Sequence, residues 1–394
     1  MPSSLRALLG AAFLMATSAI GPGFLTQTVV FTGQLEASFG FAILLSILFD
    51  LAAQLTVWRV IVAAAVPAQV LGNSVVKGLG TLLAVLVAIG GLAFNIGNVA
   101  GAGLGLQALV GLDVKAGAAL SAALALGLFL SREAGRAMDR FTQVMGGVMI
   151  ALCLWVAVSA SPPVGEAVLR TVLPTRIDVL AIVTIVGGTV GGYITFAGAH
   201  RLLDAGIAGP AAVSAATRAA AAGIGVATLM RILLFLAALG VVASGHALDP
   251  ANPPASMFRH AAGDLGGRLF GAVMWSAAVT SIVGSAYTSV SFIRTLHHRL
   301  TRRATALLIG FVSLSALVFL AVGNPVTILI VVGALNAMIL PIGLLVVLLA
   351  ARRREVVGEY RHPVSLFAAA AATAVIMAGL GAWTLVTRIP PLFR

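Results

Sequence analysis

Ala19-Ile20-Gly21-Pro22-Gly23-Phe24-Leu25-Thr26-Gln27-Thr28 interrupts an apolar run that extends from about Leu8 to Phe31. Gly21, Pro22 and Gly23 make a poor helix interior. Proline removes an amide donor and clashes with the preceding turn, and glycine frees the backbone. In lipid the carbonyls and amides so released cannot be left bare. Such a break persists only where it is buried in protein or lines a wet cavity. The stretch therefore predicts a membrane span broken near its middle, with the break as half of a binding site.

The composition agrees. Of 394 residues, 60% are hydrophobic and 9% charged, against roughly a quarter charged in a soluble domain. Mean hydropathy is +1.10, and long apolar runs recur, which predicts an all-α polytopic membrane protein seated in a lipid bilayer. A net charge of +12 would suggest nucleic acid in a soluble chain. Here the basic residues sit mostly in short segments between apolar runs and read as topology signals, so no nucleic-acid partner is expected. Cys153 is the single cysteine, which excludes an internal disulfide. In its apolar run it reads as a small buried hydrophobe. No cleavable signal is expected, because the first apolar run continues through the break. No cofactor is expected, and the oligomeric state is not legible.

Eleven spans are predicted near residues 7–32, 36–63, 79–109, 115–131, 140–160, 177–200, 214–244, 267–295, 304–321, 324–350 and 363–387. With the N-terminus inside, the inner segments hold Arg6, Arg59, Lys77, Arg132, Arg136, Arg140, Arg201, Arg218, Arg294, Arg299, Arg302, Arg303, Arg352, Arg353, Arg354 and Arg361. The outer segments hold Lys115, Arg170, Arg176, Arg259, Arg268, Arg388 and Arg394. That asymmetry predicts an N-terminus in the cytoplasm and a C-terminus outside, in the cell's inner (plasma) membrane.

The sixth span repeats the oddity of the first. Gly187-Gly188-Thr189-Val190-Gly191-Gly192-Tyr193 places four glycines near its middle. Two interrupted spans, five spans apart, point to an inverted-repeat secondary transporter working by alternating access, with its site at the midplane. The expectation is one transmembrane domain over 1–394. Repeat one covers about 7–160, repeat two about 177–350, and an extra helix about 363–387. The plainer reading is that the glycines serve close helix packing.

These residues resemble the NRAMP family of proton-coupled divalent-metal transporters, whose fold is LeuT-like. Gly10-Ala11-Ala12-Phe13 and Gly21-Pro22-Gly23-Phe24 stand where the family has Gly-Pro-Ala-Phe and Asp-Pro-Gly-Asn. Gly33, Phe39-Gly40-Phe41 and Gln54 fit the family's second span, and Ala93-Phe94-Asn95-Ile96-Gly97-Asn98 its third. Gly187-Gly188-Thr189-Val190-Gly191-Gly192-Tyr193-Ile194 sits where the family has Gly-Ala-Thr-Val-Met-Pro-His-Asn, and Leu340-Pro341 fits the tenth span.

The departures bear on cargo. The resemblance implies metal ligands at the first-span Asp and Asn and at the sixth-span Met. This chain has Gly21, Phe24 and Gly191 there, or Gly192 if the match slips by one residue. Asn95 and Asn98 replace the acidic residues of the family's proton route. Hard dications need oxygen ligands, and transition ions need nitrogen, sulfur or carboxylate donors. The chain thus looks like a divergent NRAMP-like protein without the metal site. The resemblance to that branch suggests a small cyclic or amino-acid-derived carboxylate such as 5-oxoproline.

The residues support an anion independently. Half-helices starting near Gly23, Phe24, Leu25 and Thr26, and near Tyr193, Ile194 and Thr195, present free amides and the positive ends of helix dipoles. Thr26, Gln27, Asn95, Asn98, Tyr193 and Thr195 add neutral hydrogen-bonding groups beside Pro22, Gly191 and Gly192, and Phe24 offers an apolar wall. Each has a plainer reading. Thr26 and Thr28 would bond back to their own helix, Gln27 and Asn95 would join helices, and Phe24 would pack in the core. Asp50 and Arg231 are mid-span charges that either pair structurally or couple transport to an ion or proton. His200 is a further coupling candidate, or an interfacial anchor. His297 and His298 lie in a basic anchor run. A metal carrier using backbone carbonyls and water is the closest rival, ahead of a channel. An enzyme is not expected, for no His-Glu-x-x-His, Gly-x-Ser-x-Gly or paired mid-span aspartate occurs.

Overall fold

The computed structural model describes residues 3–388 except 131 and 295–297. His297 and Arg394 lie outside that set, as do the side chains of Arg6, Arg132, Arg136, His298 and Arg299. Among the described residues every regular element is helical. In order they are α1 (Ser3–Ala19), α2 (Pro22–Leu35), α3 (Phe39–Ala64), α4 (Ala68–Val75), α5 (Leu79–Val110), α6 (Val114–Leu130), α7 (Arg132–Ser159), α8 (Val164–Val172) and α9 (Val179–Thr189). There follow α10 (Ile194–Asp204), α11 (Val213–Ala243), α12 (Pro253–Arg294), α13 (His298–Arg302), α14 (Ala304–Val322), α15 (Pro325–Ala351), α16 (Arg354–Val357) and α17 (Val364–Thr387).

Nine stretches of described residues are long and apolar enough to cross a bilayer. They account for the second, third and fifth to eleventh predicted spans. The shorter apolar helices Ala7–Ala19 and Val114–Phe129 supply the N-terminal half of the first span and the fourth.

Both breaks are present. Gly21 is extended (φ −77°, ψ 178°), and Pro22 opens α2, where its missing amide and fixed φ suit a first helical turn. The residues that end α1 are thus the ones that start α2. The second break runs from Val190 to Tyr193. Gly192 there has φ +61°, the left-handed region that glycine enters without steric penalty.

α5 lies against α12 at backbone distance. A Cβ at Gly105 would sit 2.6 Å from Trp275 N, and one at Gly271 2.5 Å from Leu109 N. Small residues at such crossings let helices pack closely where no hydrophobic force between them is available. This packing fixes the Asn95–Asn98 face of α5 beside both breaks.

The boundaries differ from expectation in three places. α7 begins at Arg132 rather than near 140, and α3 follows a 3₁₀ turn at Glu36–Ser38. α12 begins at Pro253, well before the predicted span, and bends at Ala262 (φ −133°) and Gly263 (φ +66°). The early segment is held down by Asn252, whose Nδ2 donates to Leu104 O (3.1 Å) and Gln107 Oε1 (3.2 Å) on α5. α4 and α8 are too short to span and carry no signal that a span search detects.

Candidate functional site

The two breaks meet at α5. A Cβ on Gly21 would lie 3.6 Å from Ser18 O, 3.8 Å from Ser281 Oγ and 3.9 Å from Asn98 Oδ1. Tyr193 starts α10, packs edge-on against Phe94 (5.3 Å between centroids) and turns its hydroxyl toward Ser18. Asn336 of α15 covers the second break: its Nδ2 donates to Gly90 O (3.1 Å) and Val332 O (3.0 Å), and its Oδ1 lies against Gly192. Gln27 Nε2 donates to Leu329 O at 2.7 Å while its Oε1 lies against Gly188.

This region holds polar capacity without partners. Asn98 Oδ1 and Nδ2, Asn95 Oδ1, Gln27 Oε1, Asn336 Oδ1, Tyr193 Oη, Thr26 Oγ1 and Thr28 Oγ1 are all buried and find no hydrogen-bond partner among the described residues. Buried polar groups are ordinarily satisfied, because desolvation without a partner costs about 1–3 kcal/mol each. Eight such atoms lie on residues at or near the two helix breaks.

The helix ends add direction. Leu25 N is bonded to Gly21 O, so the free amides of α2 are those of Gly23 and Phe24, one turn tighter than the sequence suggested. Phe196 N and Ala197 N bond to Tyr193 O, which leaves the amides of Ile194 and Thr195 as the open start of α10. Both half-helices present positive dipole ends. The Thr195 hydroxyl donates to Val190 O and caps the end of α9, so its proton is committed to the break while its oxygen can still accept.

Other expectations resolve similarly. Thr26 and Thr28 do not bond back to α2, whereas Thr32 does, to Thr28 O at 2.6 Å. Asn95 Nδ2 donates to Ile282 O (3.0 Å) and Ser285 Oγ (3.1 Å) of α12, so it joins helices. Phe24 is buried in the core and lines neither cavity described next. Pro22 packs on Gly101 of α5. A Cβ at Gly191 would fall 2.5 Å from Asn336 O, which leaves no room for the family's methionine.

A cavity of about 10 Å³, bounded by Gly23, Gln27, Phe94, Asn98, Gly188 and Gly333, lies between the breaks. It has room for one water, so the site is contracted in this conformation. A larger cavity of about 190 Å³ runs from Ile20 and Leu25 at the first break toward the N-terminal face. It is mostly apolar and lies between α1, α7, α11 and α12, with Thr142 and Ser276 among its few polar walls.

Asp50 and Arg231 are brought together. Asp50 Oδ2 lies 2.9 Å from Arg231 Nη1, with side chains 0% and 1% exposed. Asp50 also neighbours Gln54, whose Oε1 accepts the Trp58 indole at 2.9 Å. His200 is engaged elsewhere: its Nε2 accepts the Ala68 amide at 3.1 Å, and its ring stacks on Phe292 (4.8 Å). That is the anchoring role. Outside the spans, burial and Arg59 push His362 down to about 4. Its Nδ1 lies 2.9 Å from Tyr360 Oη, a contact within the connection before α17.

Sequence reading did not identify Ser18, Ser281 or Asn336 as neighbours of the breaks. Asn336 carried the one usable signal, an amide in the apolar run Gly333-Ala334-Leu335-Asn336-Ala337.

Gly192→Ala tests the second break. It forces a left-handed alanine, costing roughly 1–2 kcal/mol, and drives Cβ into Asn336 Oδ1. A drop of several degrees in the melting temperature of detergent-solubilised protein is expected, whereas Gly225→Ala, where nothing lies within 4 Å, should be silent.

The fold defines a helical membrane protein with two broken spans. The family model described as "Nramp: Natural resistance-associated macrophage protein-like" matches residues 12–387, and the chain belongs to the Nramp family of transporters. It is 53% identical to the uncharacterized membrane protein YcsG of Bacillus subtilis (strain 168), over 98% of this chain and 96% of that one. It is 51% identical to an uncharacterized membrane protein of Haemophilus influenzae, over 98% of each. Two mutants of the Eremococcus coleocola manganese transporter share the fold, each with a TM-score of 0.77 over 98% of this chain and 87% of theirs, at 14% and 15% identity.

Proposed function

We propose that this protein is a secondary active transporter that carries a small organic anion, an amino-acid-like carboxylate, by alternating access. The observation that carries the reading is the composition of the site. Neutral amides and hydroxyls without partners surround two helix N-termini, and none of these residues is a carboxylate, imidazole, thiol or thioether. Among the described residues no group of three or more His, Cys, Asp or Glu is placed to hold a metal ion. Helix N-termini with unpaired donors suit a carboxylate, and a dication would meet positive dipole ends with no compensating charge. 5-Oxoproline, a cyclic amide with one carboxylate, matches this set of donors and acceptors.

The rest of the reading is one transmembrane domain over 1–394. It has two inverted repeats of about 7–160 and 177–350, a helix added at about 363–387, and a cytoplasmic N-terminus in the plasma membrane. On that orientation the 190 Å³ cavity is the inner approach to the first break. Transport is ion- or proton-coupled, and Asp50, the one buried carboxylate among the described residues, is the candidate coupling group with Arg231. A second reading, proton-coupled divalent-metal transport, draws on the family and on the manganese transporter whose fold is shared. It would have to rely on backbone carbonyls and water, and Val190 O is already taken by Thr195.

Uptake of labelled 5-oxoproline into proteoliposomes tests the proposal. Saturable uptake is expected, with Tyr193→Phe reducing it about tenfold at unchanged melting temperature, as loss of one substrate hydrogen bond in a desolvated site would. Saturable manganese uptake with no carboxylate uptake would overturn it.

A further inference from the structure

We propose that His246 and His260 form a two-imidazole site for a borderline transition-metal dication, of the zinc or copper(II) class, on the face away from the N-terminus. The two rings lie 4.9 Å apart between centroids, tilted by 43°, and both side chains are exposed. On a tetrahedral zinc with Zn–N of about 2.0–2.1 Å, two imidazole centroids fall roughly 5 Å apart. The centroid separation fits two imidazoles sharing one ion, and the remaining positions are open to water.

The rings are held near each other by the fold. His246 lies in the connection after α11, and His260 near the end of the segment that opens α12. The Asp249 amide donates to Ser256 Oγ at 3.0 Å, and Asn252 pins the same segment to α5. The local charge is balanced, with Arg259 3.6 Å from Asp264. Asp249 Oδ1 is committed to the Ala251 amide at 2.9 Å, and among the described residues no third His, Cys, Asp or Glu completes a cluster. Two imidazoles bind zinc, copper or nickel and rank manganese at the weak end of the series. A bound ion would staple the α11–α12 connection, far from the midplane and independent of the carboxylate reading.

The test is calorimetric titration of tag-free, detergent-solubilised protein with zinc chloride and, separately, manganese chloride. One saturable zinc per chain is expected, with no manganese heat. The His246→Ala/His260→Ala double variant should bind zinc about tenfold or more weakly at unchanged melting temperature, and its response to carboxylates should match the parent's. Zinc binding unchanged in the double variant, or no saturable zinc binding by the parent, would overturn the proposal.

Discussion

Asp50→Ala should destabilise the protein severely, by about 3–5 kcal/mol, because it strands a buried guanidinium. The Arg231 side chain is 1% exposed, and removal of Asp50 leaves its charge in the membrane interior without a counter-ion. The Asp50→Leu/Arg231→Leu double variant should recover most of that loss, since a well-packed apolar pair often replaces a buried ion pair at little penalty. Thermal melting in detergent measures both. A double variant as unstable as the single one would show that the pair is not a self-contained unit. The same double variant separates anchoring from coupling. If Asp50 carries the coupled proton, the recovered protein still equilibrates substrate but loses concentrative uptake under a pH gradient. If the pair only fastens α3 to α11, gradient-driven uptake survives.

Gly21→Asp should abolish carboxylate binding, by roughly 100-fold or more, without unfolding the chain. The nearest atoms to a Cβ at Gly21 are 3.6–3.9 Å away, ordinary contact distances, so a Cβ is accommodated beside Asn98 and Ser281. Two like charges about 4 Å apart at an effective dielectric of about 20 repel by ~4 kcal/mol, which sets the expected loss. Gly21→Asn, similar in shape and neutral, should lose far less. Binding isotherms of the two variants at matched ionic strength make the comparison. Equal losses would mean that bulk rather than charge governs the site.

Much of the fold could be read from residues whose backbone chemistry is local. Gly21-Pro22-Gly23 is a poor helix interior, and Gly192 serves a left-handed turn, so both breaks announced themselves. The early start of α12 did not, because it depends on Asn252 reaching two acceptors on α5, a tertiary event. The site was legible in part for the same reason. Tyr193, Gln27 and Asn98 stood out as polar residues beside or facing a break. Ser281 and Asn336 did not, since a lone serine or asparagine in an apolar helix looks the same whether it serves its own helix, as Ser315 does with Phe311 O at 2.8 Å, or another. Thr195 carries a role that its place at the break did not reveal: its hydroxyl caps α9 through Val190 O. The pairing of Asp50 with Arg231 was one of two readings open in the sequence, and the 2.9 Å contact bears it out; the residues alone could not decide it, because nothing in either run fixes which faces of α3 and α11 meet.

The central claim is that the broken-helix site receives a carboxylate and not a metal ion. Its most direct test is calorimetric titration of purified protein with manganese and with a panel of small carboxylates including 5-oxoproline, at matched ionic strength. Saturable binding of one carboxylate, weakened by Gly21→Asp, with manganese inert, is the result predicted. Saturable manganese binding that Gly21→Asp strengthens, with every carboxylate inert, would contradict it.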